Sequence, residues 1–155
     1  MLLCCSRLLA GQASQHADLV IVTKSKHQMT LLSQGIPIKT YQVALGTGGL
    51  APKQRQGDSR TPEGRYILDR ENTNSRFHLA FHVSYPSAAD KARAKAMGVD
   101  PGGDIMIHGL EKKYESLGAL QHNYDWTEGC IALTNPEIEE FAKLVPVGTP
   151  IEIKP

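Results

Sequence analysis

The stretch "DWTEGCIAL", residues 125–133, carries the one cysteine that lies beyond the first five residues of this chain. Cys130 follows a glycine and precedes an apolar run. Four readings are open for it: nucleophile, metal ligand, half of a disulfide, or small buried hydrophobe. The other two cysteines, Cys4 and Cys5, are sequence neighbours near the start, and a bridge between neighbours is strained. No second cysteine stands at zinc-finger spacing from Cys130, which argues against a structural zinc site. Nucleophile and inert thiol remain.

Upstream, "DIMIHG" (104–109) sets His108 at the end of an apolar strand. An imidazole that takes up the thiol proton produces the thiolate, which is the attacking species. Gly129 would let a substrate backbone approach closely, and amides near Cys130 would face a developing oxyanion. Spacing alone leaves a catalytic pair and a structural thiol beside a core histidine both open.

The rest of the chain bounds the answer. With 155 residues, 41% hydrophobic and 21% charged, it is the size and composition of one globular domain. Seventeen basic residues against 16 acidic ones give a formal charge of +1, so neither nucleic acid nor a membrane surface is expected as partner. No stretch approaches the roughly 20 apolar residues of a membrane span. Residues 1–17, "MLLCCSRLLAGQASQHA", read either as a secretory leader or as a disordered N-terminus. Gly11-Gln12-Ala13 would be the cleavage site, but no Lys or Arg precedes the apolar part and Arg7 interrupts it. The domain proper is assigned to 18–155.

Alternating and β-branched runs predict strands over 18–24, 28–34 and 36–45, the last two forming a hairpin around Gln34-Gly35 with Ile36, Ile38 and Val43 inward. A Gly- and Pro-rich connection, 46–64, has the length of a functional loop and is expected to border the Cys130 pocket. Strands follow over 65–70 and 77–85. A helix opens at Pro86 and stops at Gly98, a short buried strand covers 102–109, and residues 110–129 are polar and irregular. A second helix has Asn135 as N-cap and Pro136 at N1, and a strand closes the chain. The expected fold is mainly β, curved or barrel-like, with two short helices at its edge. His82 reads as structural, His27 and His78 as surface residues, Trp126 as a packing anchor and Asp125 as a loop tether. His122 competes with His108 for a site role. "GTGG" (46–49) lacks the lysine and spacing of a phosphate loop.

From Asp18 to Ile153 the chain resembles the catalytic domain of the L,D-transpeptidases, the YkuD-type family, in a "DWTxGCIAL" form. "GDSRTPEGRYIL" is similar to the family's G-D-x-x-T-P-x-G-x-Y segment. "DIMIHG" and "DWTEGCIALTN" resemble its two active-site motifs in the right order. The resemblance implies Cys130 as nucleophile, His108 as general base, and Gly129 with its neighbours as oxyanion site. Thr127 is the motif's hydroxyl residue, and Glu128, Gly109 and His122 complete the expected substrate-binding group. Two positions depart from the pattern: Glu128 stands where many members carry histidine, and Ala132 where many carry arginine. Both bear on how the substrate's carboxylates are held. The implied reaction is attack on a peptidoglycan stem peptide, loss of a terminal D-amino acid, and resolution of the thioester by an amine or by water. The resemblance further implies a location outside the cytoplasmic membrane, no metal or organic cofactor, and acylation by carbapenems; nothing in the sequence argues for more than a monomer. Its alternatives are an L,D-carboxypeptidase or a catalytically silent wall-binding module.

Overall fold

The computed structural model describes residues 15–155. Cys4, Cys5 and most of the stretch read as a leader lie outside those residues. Ala17, assigned by sequence to that stretch, belongs to the fold: it is buried, and its N–H donates to Leu144 O at 2.8 Å.

Strands β1 (Leu19–Thr23), β2 (Gln28–Ser33) and β3 (Ile36–Gln42) form an antiparallel meander. Gln34 and Gly35 turn the β2–β3 hairpin at φ 52° and 77°, both on the side that two-residue hairpin loops require. Alternation along β1 and β2 buries Val20, Val22, Met29 and Leu31 completely. Ile36 does not face inward as expected, being 63% exposed. The β2–β3 register shifts between Leu31 and Leu32, which changes the phase near the turn.

β4 (Gly64–Ser75) and β5 (His78–Val83) make a longer hairpin, followed by β6 (Met106–His108), β7 (Ile131–Ala132) and β8 (Pro150–Lys154). The polar second half of β4 gave no strand signal, because exposed strand residues have no apolar face to bury. The sheet order is β3-β2-β1-β8-β4-β5-β6-β7, with β1–β8 and β6–β7 parallel. Past β3 the chain crosses to the far edge, where Ala44 and Ala132 exchange backbone hydrogen bonds at 3.1 and 2.9 Å. That bridge curls the sheet toward closure, as expected of a barrel-like mainly-β domain.

Helix α1 (Ala88–Met97) starts at a Ser87–Asp90 capping box and ends at Gly98, φ 67°. Helix α2 (Asn135–Leu144) is capped by Thr134, not Asn135: Thr134 and Glu137 form the reciprocal box. Asn135 is thereby free to accept from Leu110 N–H at 2.7 Å. α2 buries Ile138 and Phe141, and Phe141 meets Phe81 edge-on at 5.1 Å. Such side chains stabilise by about 1.5–3 kcal/mol each. A further helical piece, Lys112–Asn123, is 3-10 in character and kinked at Gly118, inside the stretch read as irregular.

Residues 46–63 are held by two buried lysines that sequence reading passed over. Lys24 Nζ donates to Thr61 O (3.0 Å), Ala51 O (3.3 Å) and Glu63 Oε1 (3.0 Å). Lys53 Nζ donates to Asp58 Oδ1 (2.9 Å) and Arg55 O (3.1 Å).

Candidate active site

The turn ahead of β7 is built on a buried hydroxyl. Thr127 Oγ1 donates to Cys130 O at 2.7 Å and accepts from Gly129 N–H at 3.1 Å. Gly129 stands at φ 127°, and a Cβ there would lie 2.6 Å from Arg60 O and 3.2 Å from Ile105 Cδ1. Only glycine fits both the angle and the contact. The 46–63 segment therefore packs directly on the residue before Cys130. Gly46 completes that seam, since a Cβ there would collide with Ser59 O.

His108 comes from β6, whose residues pair in parallel register with β7: Ile107 opposite Ile131, His108 opposite Ala132. Extending that register sets Cys130 opposite Met106. Cys130, immediately before β7, and His108 thus fall on one face of adjacent strands, at diagonal positions. His108 Nδ1 donates to Gly109 O at 2.7 Å. A carbonyl only accepts, so Nδ1 carries the proton and Nε2 keeps its lone pair. Gly109 is needed for this turn: a Cβ would lie 2.5 Å from Asn135 Oδ1. The imidazole stacks on Phe77 (centroids 4.3 Å, 28°) and meets the Trp126 edge at 5.7 Å.

Burial pushes the Cys130 thiol above its ordinary range. The Met106 N–H opposes this, the Asp104 and Glu128 carboxylates add to it, and the Lys53 ammonium works against them. The thiol donates to Asp104 O at 3.6 Å. Burial also lowers the His108 pKa, against the pull of the Gly109 carbonyl. Both shifts favour the uncharged forms, a thiol and a neutral imidazole, over an ion pair.

Other expected site residues fall differently. Gly129 N–H is engaged by Thr127, so the glycine serves conformation and close packing rather than donating to an oxyanion in this geometry. Glu128 is exposed two residues before Cys130. His122 turns to α2, with Nε2 3.4 Å from Glu137 Oε2, an ion-pair contact without hydrogen-bond geometry. Asp125 is the tether expected of it, accepting from Leu45 N–H (2.8 Å) and pairing with His27 Nε2 (2.9 Å). His27 is therefore a loop anchor and not a plain surface residue. Trp126 packs as expected, its Nε1–H donating to Gln121 Oε1 at 2.8 Å. It also walls an apolar cavity of about 580 Å³ with Leu110, Tyr114, Leu117 and Leu120, which does not include Cys130. Phe77, Asn135 and Arg60 were missed, since each reaches the site through contacts distant in sequence.

A curled, mainly-β domain presenting a cysteine and a histidine on neighbouring parallel strand ends is the class of protein these observations define. The chain belongs to the YkuD family, the L,D-transpeptidase catalytic domain, which it matches over residues 17–153. It is 34% identical over 110 residues to YafK of Escherichia coli strain K12, provisionally named an L,D-transpeptidase, covering 70% of this chain and 37% of that protein. Among solved structures it is similar to the helical cell shape determining protein Pgp2 from Campylobacter jejuni, with TM-score 0.69 and 26% identity, covering 90% of this chain and 48% of that one. An L,D-transpeptidase from Mycobacterium smegmatis shares the fold at TM-score 0.59 and 17% identity, over 90% of this chain and 59% of that one. The chain thus spans about a third to a half of YafK and Pgp2. Among the described residues, no helix is long and apolar enough to cross a membrane.

Proposed function

We propose that this chain is a cysteine-dependent L,D-transpeptidase acting on peptidoglycan stem peptides outside the cytoplasmic membrane. The observation that supports it most is the tautomer of His108: Nδ1 is committed to Gly109, leaving Nε2 as a base on the face shared with Cys130. In the first half-reaction Sγ bonds to the carbonyl carbon of the donor's L-centre residue while its proton passes to His108 Nε2. The amide of Cys130 donates to the oxyanion. Collapse breaks the C–N bond, and Nε2 returns the proton to the departing D-amino acid amine, leaving a thioester. An acceptor amine then attacks, gives its proton to Nε2, and expels Cys130 sulfur, which regains that proton. Starting from a neutral pair suits this sequence, because the base must hold the proton only during each step.

Carbapenems carry a strained acyl group, and L,D-transpeptidases of this fold from Mycobacterium tuberculosis have been solved with imipenem and with a faropenem-derived adduct. The test is whole-protein mass after incubation with imipenem and with defined tetrapeptide and pentapeptide stems. An adduct on wild type and none on Cys130→Ala is the expected result. Products carrying an added amine identify transfer, and shortened stems alone identify L,D-carboxypeptidase activity. A wild-type protein left unmodified where an active relative reacts would overturn the enzymatic reading in favour of a silent wall-binding module.

A further inference from the structure

The peptide unit that joins Gly109 to Leu110 is hydrogen-bonded at both ends. Its carbonyl accepts from His108 Nδ1 at 2.7 Å, and its N–H donates to Asn135 Oδ1 at 2.7 Å. A peptide unit is planar, so whatever holds its N–H also sets the direction of its C=O. An acceptor on the N–H further polarises the amide and makes its oxygen the better acceptor. The backbone on either side is fixed as well: Gly109 N–H donates to Leu79 O at 3.1 Å, and His108 O accepts from Leu133 N–H at 2.9 Å.

Ring contacts do not settle which way the imidazole points. Phe77 stacks on it at 4.3 Å and Trp126 meets it at 5.7 Å, which sets the plane of the ring. A half-turn about Cβ–Cγ keeps that plane but exchanges Nδ1 with Cδ2 and Nε2 with Cε1. The bond to Gly109 O tells the two edges apart.

Asn135 is placed to hold that bond steady. It is buried at the first position of α2, where Thr134 and Glu137 already cap the helix, so its amide is not spent on the cap. A backbone N–H only donates, which makes Oδ1 the atom that faces Leu110. Helix and turn are in contact at this point: a Cβ on Gly109 would lie 2.5 Å from Asn135 Oδ1 and 3.1 Å from Ile138 Cγ2.

We propose that Asn135 is a positioning residue for His108: acting through the Gly109–Leu110 peptide, it fixes the imidazole with Nδ1 protonated and Nε2 free. The third member of a nucleophile–histidine triad orients the imidazole by direct contact; here one peptide unit relays that task, and no proton travels along it. The inference rests on the cysteine–histidine reading above.

The test reads the tautomer by nitrogen NMR of ¹⁵N-histidine protein at about pH 8, above the imidazole range. His108→Ala identifies the His108 signals. Wild type should show a proton on Nδ1 and a bare Nε2. Asn135→Ala should populate the other tautomer and slow imipenem acylation of Cys130 about tenfold, the equivalent of one hydrogen bond. Asn135→Asp keeps an acceptor and should keep the tautomer, with the Nδ1 proton moved downfield by the stronger relay. Thr134→Ala breaks the capping box and should lower the melting temperature by about 2–4 °C while leaving the His108 signals in place. An unchanged tautomer in Asn135→Ala would overturn the proposal, as would equal scrambling in Thr134→Ala, which would make helix packing the cause. Should Asn135→Ala fail to fold, an Nδ1 proton at its wild-type position in Asn135→Asp overturns it instead. A tautomer that depends on Asn135 in a protein that imipenem never acylates would sink the enzymatic reading and leave the relay standing.

Discussion

Thr127→Val is the sharpest probe of how the fold sets the turn that carries Cys130. Valine keeps the shape of a buried threonine and removes only the hydroxyl. Two hydrogen bonds go with it: the 3.1 Å bond that satisfies Gly129 N–H and the 2.7 Å bond to Cys130 O. A buried donor left without a partner costs about 1–3 kcal/mol, and the second bond adds about 1 kcal/mol, for roughly 2–4 kcal/mol in all. In a domain of 155 residues each kcal/mol shifts the melting temperature by about 2–4 °C, so a fall of about 4–16 °C is expected. The turn would also relax at Cys130, so turnover should fall more than stability explains when measured well below the melting point. Thr127→Ser keeps the oxygen and should recover most of both. Calorimetric melting with acylation rates on the three proteins checks this. If valine melts within a degree of wild type and acylates at its rate, the hydroxyl does not build the turn and the reasoning fails.

Three further outcomes are expected. In the proposed mechanism the His108 imidazole, whose pKa burial lowers, accepts the thiol proton only when neutral, so kcat/KM should stay level through neutrality and decline only below the ordinary imidazole value of 6.5. His108→Ala should replace that profile with one rising toward and past the ordinary thiol value of 9.0, and a wild-type acid limb centred above 7 would contradict the assignment. Burial raises the Asp58 carboxyl, but N–H groups of Gln54, Arg55 and Arg60 and the Lys53 ammonium outweigh it and hold the group at about 2, below its ordinary 3.8. A lowered folded value means that its contribution, about 2 kcal/mol, is intact above pH 4 and lost as pH falls toward 2; melting temperature against pH should lose that slope in Asp58→Asn. Lys24→Met strips Glu63 and two loop carbonyls of a buried donor and should cost about 3 kcal/mol, with faster amide exchange across residues 50–63. Unchanged exchange there would mean that the lysine does not pin the loop.

The strand alternation and the motifs were legible because they are local. "DIMIHG" and "DWTEGCIAL" carry their meaning within ten residues, and the valines of β1 announce their own face. What escaped depends on distant partners. Nothing around Lys24 marks it as buried, since its acceptors come from residues 51, 61 and 63. Asn135 reads as an N-cap because its type favours caps, yet Thr134 takes that role and the amide reaches back 25 residues to Leu110. The residues around His108 illustrate the same limit. Its neighbours Phe77 and Trp126 lie 31 residues before it and 18 after it. His122 looked like a competitor on sequence nearness to Cys130, but the 3-10 segment turns it toward Glu137 instead.

β8 lies between β1 and β4, so a strand formed late in the sequence joins the β1–β3 meander to the strands that carry His108 and flank Cys130. During synthesis each half emerges lacking its middle neighbour, and the sheet cannot be completed until residues 150–154 have left the ribosome. Partners so far apart along the chain bring a slow loop closure. Until then the unpaired edges of β1 and β4 stand open to other chains, and nascent copies crowded on one message share that exposure. Removing residues 150–155 would therefore leave two half-sheets without a seam.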